Sequence, residues 1–234
     1  LEQRMRKYQE TSNVVQDREV RALREKLKTT TTRPEIEQTT LLMLSRLMVL
    51  RRYREVVREA KTYLDGLAAG APMTNTSDAL ASVMISSLMI LKDYDGMLRE
   101  GERFLARAPG SAMFDAVKRQ MEFAIGEKRR IESGRTKAEE EVAHMSPSAR
   151  WDLCNVADLY MRNAQYAAAL RLYRACATVG PKGKKEVFPL LARCAQQGGD
   201  WGGLRKILEE WRAEDSVAAQ KYWDGNESAM PTDG

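Results

Sequence analysis

Apolar residues recur with a helical period along most of this chain, and the stretch from Ser148 to Lys182 shows the pattern most clearly. Leu153, Val156, Ala157 and Tyr160 fall on one face of a helix, so they form a single apolar stripe. Asn163-Ala164-Gln165 interrupts it. Tyr166, Ala169, Leu170, Tyr173, Cys176 and Ala177 resume the stripe on a second helix, which Gly180-Pro181 ends because proline has no amide hydrogen to donate. Small residues, Ala157 on the first helix and Ala169 and Cys176 on the second, fall where the two helices would touch. The pattern predicts a closely packed antiparallel hairpin.

Three further turns carry the same arrangement. Leu44, Leu47 and Met48 precede Tyr53, with Val56, Ala60 and Leu64 after it; Met84, Ile85 and Leu88 precede Tyr94, with Met97, Gly101 and Phe104 after it. Phe188, Leu191 and Ala195 precede Trp201, with Leu204, Leu208 and Trp211 after it. The turn aromatics Tyr53, Tyr94, Tyr166 and Trp201 are 41, 72 and 35 residues apart. A long linker, 66–77, explains the first spacing, and Thr76, Ser77 or Asp78 is expected to cap the helix that follows. The 72-residue gap is close to two repeats, so a degenerate hairpin is expected near 111–145, broken at Ser133-Gly134. The alternative is that Lys128 to Met145 runs on as one exposed helix of mixed charge. The expected division is a helix and linker over 1–33, repeats over 34–213 (34–70, 77–110, 111–145, 148–183 and 184–213), and a short helix and disordered tail over 214–234. Each hairpin alone would expose an apolar face, and stacking would bury it.

The unit at 148–182 resembles the tetratricopeptide repeat, a 34-residue helix pair. The matching positions are Leu153, Val156, Ala157, Tyr160, Tyr166, Ala169, Tyr173, Cys176 and Pro181; Leu stands for the usual Trp, Val for Leu and Cys for Ala. The resemblance implies an all-α fold, an α-solenoid of stacked antiparallel helix pairs wound as a right-handed superhelix. It also implies a concave groove lined by the first helix of each repeat. Carried onto this chain, the groove would present Leu42, Met48 and Val49, then Val83, Met89 and Ile90, then Asn155, Met161 and Arg162, and finally Arg193. Met48, Met89 and Met161 occupy equivalent places, and methionine suits surfaces that accommodate varied apolar ligands. Asn155 matches an asparagine that chaperone-adaptor members of the family use to hold a peptide backbone or terminal carboxylate. The lysines that accompany it there are missing from the aligned helices, so a terminal carboxylate is not the expected ligand.

The groove thus reads as apolar in its first half and polar, with Arg162 and Arg193, in its second. An amphipathic partner helix with an acidic group near the arginines would fit it. The groove could equally be filled by the chain's own N-terminal helix or C-terminal tail. The N-terminal 28 residues hold eight Lys/Arg against five Asp/Glu and a thin apolar stripe, which suits a cap on the solenoid or a free arm.

Composition narrows the rest. The chain has 234 residues and a net charge of +5. This basic excess keeps RNA in view as the alternative partner, through Arg51-Arg52-Arg54, Arg129-Arg130 and Lys182-Lys184-Lys185. These clusters are interleaved with acids and lack aromatics placed for base stacking, which weighs against that reading. Cys154, Cys176 and Cys194 read as small core residues of a protein kept reduced in an intracellular compartment, the cytoplasm or an organelle matrix. They lack the close pairing of a zinc site. His144, the single histidine, reads as a polar surface residue. No apolar run is long enough to span a membrane. The chain begins with Leu, so it reads as a processed or excised segment, and a removed targeting sequence stays open. With no phosphate loop, HExxH or CxxC motif, the expectation is a protein-binding scaffold or adaptor without catalysis, cofactor, metal or small-molecule substrate, acting as a subunit of a larger assembly.

Overall fold

A computed structural model of the chain describes residues 2–68, 71–146, 148–149, 152–179, 184–227 and 230–231. The helices are α1 (Glu2–Thr29), α2 (Arg33–Val49), α3 (Tyr53–Gly66), α4 (Asn75–Ile90), α5 (Tyr94–Arg107), α6 (Phe114–His144), α7 (Leu153–Arg162), α8 (Tyr166–Val179), α9 (Lys184–Gly198), α10 (Trp201–Glu214) and α11 (Ser216–Asn226). Among the described residues there is no β-strand. The chain is all-α, a helical-repeat solenoid in which helices adjacent in sequence pack as antiparallel pairs. It divides into two compact units, one centred on Leu1–Ile125 and one on Gly126–Met230, and α6 contributes its first part to one and its remainder to the other. Among the described residues no helix is long and apolar enough to cross a membrane.

The four hairpin turns are built alike. Arg51, Lys92, Ala164 and Gly199 have φ between 56° and 73°, each two positions before the turn aromatic. In every turn the amide after this left-handed residue donates to a carbonyl five residues back, as Arg52 does to Leu47 and Asp200 to Ala195, both at 2.9 Å. The left-handed residue's own amide donates three residues back, as Lys92 does to Met89 at 3.0 Å. This paired pattern satisfies two terminal carbonyls of the first helix and reverses the chain at once. Asp93 and Asp200 then cap the second helix, each accepting from the amide three residues on at 2.9 Å.

In unit 1, α2 with α3 and α4 with α5 enclose a core that includes Leu44, Leu47, Val56, Leu80, Ile85 and Phe104. The N-terminal helix α1 packs on α2, seats Val20 in that core, and lays Leu23 and Leu27 against it. Its charges reach across: Arg24 pairs with Glu55 at 2.6 Å and Glu59 at 2.8 Å, Glu19 with Arg46 at 2.7 Å, and Asp17 with Arg52 at 2.7 Å. The predicted apolar positions Met5 and Tyr8 lie outside the described side chains. The cap of α4 is Thr74, ahead of the three residues expected from the sequence. Its hydroxyl accepts from the Ser77 amide at 3.0 Å, and the Ser77 hydroxyl accepts from the Thr74 amide at 2.7 Å, forming a reciprocal capping box.

Glu37, only 3% exposed, ties three parts of unit 1 together. Its carboxylate accepts from Arg33 Nε at 2.9 Å, from the Tyr63 hydroxyl of α3 at 2.7 Å, and from the Thr74 hydroxyl at 2.6 Å. Burial opposes its ionisation, but the three hydrogen bonds outweigh burial and hold its pKa below the ordinary carboxylate value. Burial and the bond to Glu37 push the Tyr63 phenol up to about 12.

The expected degenerate hairpin at 111–145 is absent; α6 is one continuous helix of 31 residues, as the run-on alternative had it. Gly134, read as a break, lies inside this helix for a packing reason. A Cβ there would collide with the backbone carbonyl of Asn163 in the α7–α8 turn. Gln165 of the same turn donates to the Ile131 carbonyl at 2.6 Å, and Asn163 Nδ2 to Glu141 at 3.3 Å. Glycine therefore admits the turn against α6.

Unit 2 pairs α7 with α8 and α9 with α10, and α8 packs on α9. α11 closes this unit. Trp211 stacks on Phe188 with ring centroids 6.0 Å apart and meets Tyr222 of α11 at 5.7 Å. The tail expected to be disordered is ordered in its described part: Asp224-Gly225-Asn226 belong to α11 and Met230 is buried, while 228–229 and 232–234 lie outside the described residues. So does the predicted Gly180-Pro181 stop.

The reading of three reduced cysteines is corrected. Cys154 of α7 and Cys176 of α8 are joined by a disulfide, with their Cα atoms 5.7 Å apart, and Cys194 is a buried free thiol. The small-residue positions that let α7 and α8 approach closely are the positions that bring these two cysteines within bonding distance.

Candidate functional site

The first helices of the pairs carry the sequence-predicted groove residues, and the two units present them differently. In unit 1, Leu42 and Val49 on α2 are 45% and 57% exposed. α1, which packs on α2, leaves them uncovered. Met48, Val83, Met89 and Ile90 are half-buried, and the first three pack against the core. The Ser87 hydroxyl of α4 lies 3.3 Å from Met48 Sδ.

An equivalent contact recurs in unit 2, where Cys194 Sγ of α9 lies 3.1 Å from Met161 Sδ of α7. Both methionines sit three residues before a left-handed turn residue, and both partners five residues before the next one. This methionine position therefore joins consecutive first helices. In the last repeat the same position is Gln196, which donates to Asn226 at 3.0 Å and accepts from Tyr222 at 2.8 Å, both on α11. The side-chain amide of Gln196 is thus committed to the closing helix.

Four of the predicted site residues in unit 2 converge on one cavity of about 710 Å³: Asn155, Met161 and Arg162 from α7, and Arg193 from α9. Asp158, Leu190 and Gln197 also line it. Cys154, next to Asn155, is buried in the core and bonded to Cys176. Periodicity could not have revealed Tyr173 and Met145 as lining residues, because they arrive from α8 and from the segment just after α6.

The cavity's charges are unevenly satisfied. Asp158 accepts a short hydrogen bond from the buried Tyr173 hydroxyl. Burial chiefly, with the bond to Asp158 and its charge, pushes the Tyr173 phenol far above its ordinary value, while Arg193 pulls the other way. Burial also pushes the Cys194 thiol up to about 12, again against the pull of Arg193, so this thiol stays protonated and unreactive at neutral pH. Arg162 and Arg193 are exposed, and among the described residues neither has a hydrogen-bonding or ion-pair partner. The lining thus holds two uncommitted guanidiniums and one committed carboxylate. It can receive an anionic group, with the Asn155 amide beside it as donor and acceptor.

The basic clusters are less available. Arg52 pairs with Asp17 and, at 3.6 Å, with Glu55; Arg130 pairs with Glu127 at 2.8 Å. Lys182 lies outside the described residues, as does the side chain of Lys184. Among the described residues no group of histidine, cysteine, aspartate or glutamate is arranged to hold a metal ion. No family model, curated protein or solved structure matches the chain.

Proposed function

We propose that the chain is a tetratricopeptide-like scaffold or adaptor that holds a helix or peptide of another protein, without catalysis, as one subunit of a larger assembly. The observation that carries this reading is the unit 2 cavity. Two successive first helices bring Asn155, Arg162 and Arg193 to one concave site and leave both arginines uncommitted. Such a site selects an acidic group on an otherwise apolar or neutral segment. The exposed Leu42 and Val49 offer a second, apolar contact on unit 1, where the partner's hydrophobic face would gain most.

The test is capture of partners from the native source on the wild-type chain and on an Arg162→Glu/Arg193→Glu variant, with and without ribonuclease. The reading expects a defined protein set that survives ribonuclease and is lost on the double variant. A set that disappears with ribonuclease and is indifferent to the two arginines would replace it with the RNA-linked alternative.

A further inference from the structure

The segment joining α6 to α7 carries chemistry that the binding reading does not use. Of the seven prolines in the chain only Pro147 follows a hydroxyl residue, so Ser146-Pro147 is the single Ser/Thr-Pro dipeptide. Ser146 is exposed and lies outside any helix. Among the described residues its hydroxyl makes local contacts, 3.2 Å from the Ser148 hydroxyl and accepting from the Ala149 amide at 3.3 Å, so modifying it disturbs one local turn and no contact between helices. The residue immediately before it, Met145, lines the cavity that holds Arg162 and Arg193.

We propose that Ser146 is a phosphorylation site and that its phosphate occupies the Arg162–Arg193 cavity, closing that site to an acidic partner. A proline-directed protein kinase would supply the phosphoryl group from ATP. Ser146 Oγ forms a bond to the γ-phosphorus, the bond from that phosphorus to the bridging oxygen of ADP breaks, and the hydroxyl proton passes to the kinase's base. The product carries close to two negative charges and three acceptor oxygens at neutral pH, a match for two guanidiniums that make no ion pair among the described residues. Met145 places this dianion one residue from the cavity wall. The inference rests on the reading of Arg162 and Arg193 as an anion-holding pair, and it makes phosphate and partner competitors.

The experiment treats the purified chain with a proline-directed serine/threonine kinase and ATP and maps the product by mass spectrometry. One phosphate is expected, on Ser146, absent from Ser146→Ala and retained in Ser148→Ala; no incorporation, or incorporation elsewhere only, overturns the site. The phosphate is then titrated by phosphorus NMR in the intact chain and in an excised phosphopeptide. In the intact chain its second pKa, near 6 in a free phosphoserine, is expected to fall by roughly half a unit and to recover in Arg193→Gln. Identical titrations overturn the cavity contact. Because this readout needs no partner, it stands apart from the capture experiment. Capture that is indifferent to the arginines removes the acidic partner, and the competition with it, but leaves the phosphate contact standing; an unshifted phosphate removes the phosphate contact and leaves the partner reading standing.

Discussion

In unit 1 the helices are tied across their faces by charge: Arg24 reaches Glu55 and Glu59, Asp17 reaches Arg52, and Glu37 gathers Arg33, Tyr63 and Thr74. In unit 2 the pairs Arg130–Glu127, Arg135–Glu132 and Lys137–Glu141 run along α6 itself, while a disulfide joins α7 to α8. Each unit has an end helix, α1 or α11, that covers the apolar edge a terminal repeat would otherwise expose. The difference lies in what is left over. Unit 1 commits Arg24, Arg52 and Glu37 to cohesion and leaves Leu42 and Val49 exposed, whereas unit 2 commits sulfur and aromatic rings to cohesion and leaves Arg162 and Arg193 without a partner among the described residues.

The largest separation between the units is expected from Glu37→Ala. It leaves the half-buried Tyr63 hydroxyl, Thr74 hydroxyl and Arg33 without their shared carboxylate and should cost about 3 kcal/mol. No tryptophan occurs in Leu1–Ile125, and Trp201, Trp211 and Trp223 belong to unit 2, so the loss should appear in circular dichroism and not in tryptophan fluorescence during denaturant unfolding. The same group makes unit 1 acid-sensitive. Its folded pKa is depressed, so its stabilisation is complete above the unfolded value of about 4.3 and is lost as pH falls through the folded value. At the other end, the raised Cys194 thiol contributes stability to unit 2 that is complete below its unfolded pKa of about 8.5. That contribution is lost as pH rises toward about 12. Acid unfolding followed by both probes should therefore show circular dichroism leading fluorescence.

Reduction of Cys154–Cys176, or the double Cys→Ser variant, should reverse the contrast. Opening a loop of 22 residues costs about 3 kcal/mol by chain entropy, and it should lower the fluorescence midpoint while leaving Glu37-dependent unfolding unchanged. A smaller effect is expected at Gly134→Ala, where an added methyl meets the Asn163 carbonyl; about 2 kcal/mol fits overpacking against backbone, read in the same fluorescence transition. Smallest is Met89→Glu on unit 1. It should weaken partner binding by about 1 kcal/mol with helicity retained, and unchanged binding in a calorimetric titration would remove the unit 1 face from the partner's footprint.

Much of this architecture is legible from period and punctuation. The aromatics Tyr53, Tyr94, Tyr166 and Trp201 mark turns of identical hydrogen bonding, each standing two positions after a residue of positive φ. The middle of the chain misled because Gly134 looks like a helix stop in sequence and is a clearance for a neighbouring backbone in space. The cysteines misled similarly: a spacing of 22 carries no pairing signal, and only the approach of α7 to α8 supplies one. At the site, the α7 and α9 residues were readable because one helical face fixes them together. Tyr173 enters from α8 and Met145 from the segment just after α6, and no local period connects them to Arg162. Met48 and Met161 were legible as a repeated position but not as the contact between consecutive first helices, which depends on Ser87 and Cys194 standing opposite.

The most direct measurement follows the Nε–Hε signals of Arg162 and Arg193 by NMR while an amphipathic peptide carrying glutamates is added, with its Glu→Gln counterpart as the control. Saturable movement of both signals with the acidic peptide, weakened by salt and missing with the neutral one, is the predicted result. Signals that stay still, or that respond equally to both peptides, would contradict an acid-selective cavity in unit 2.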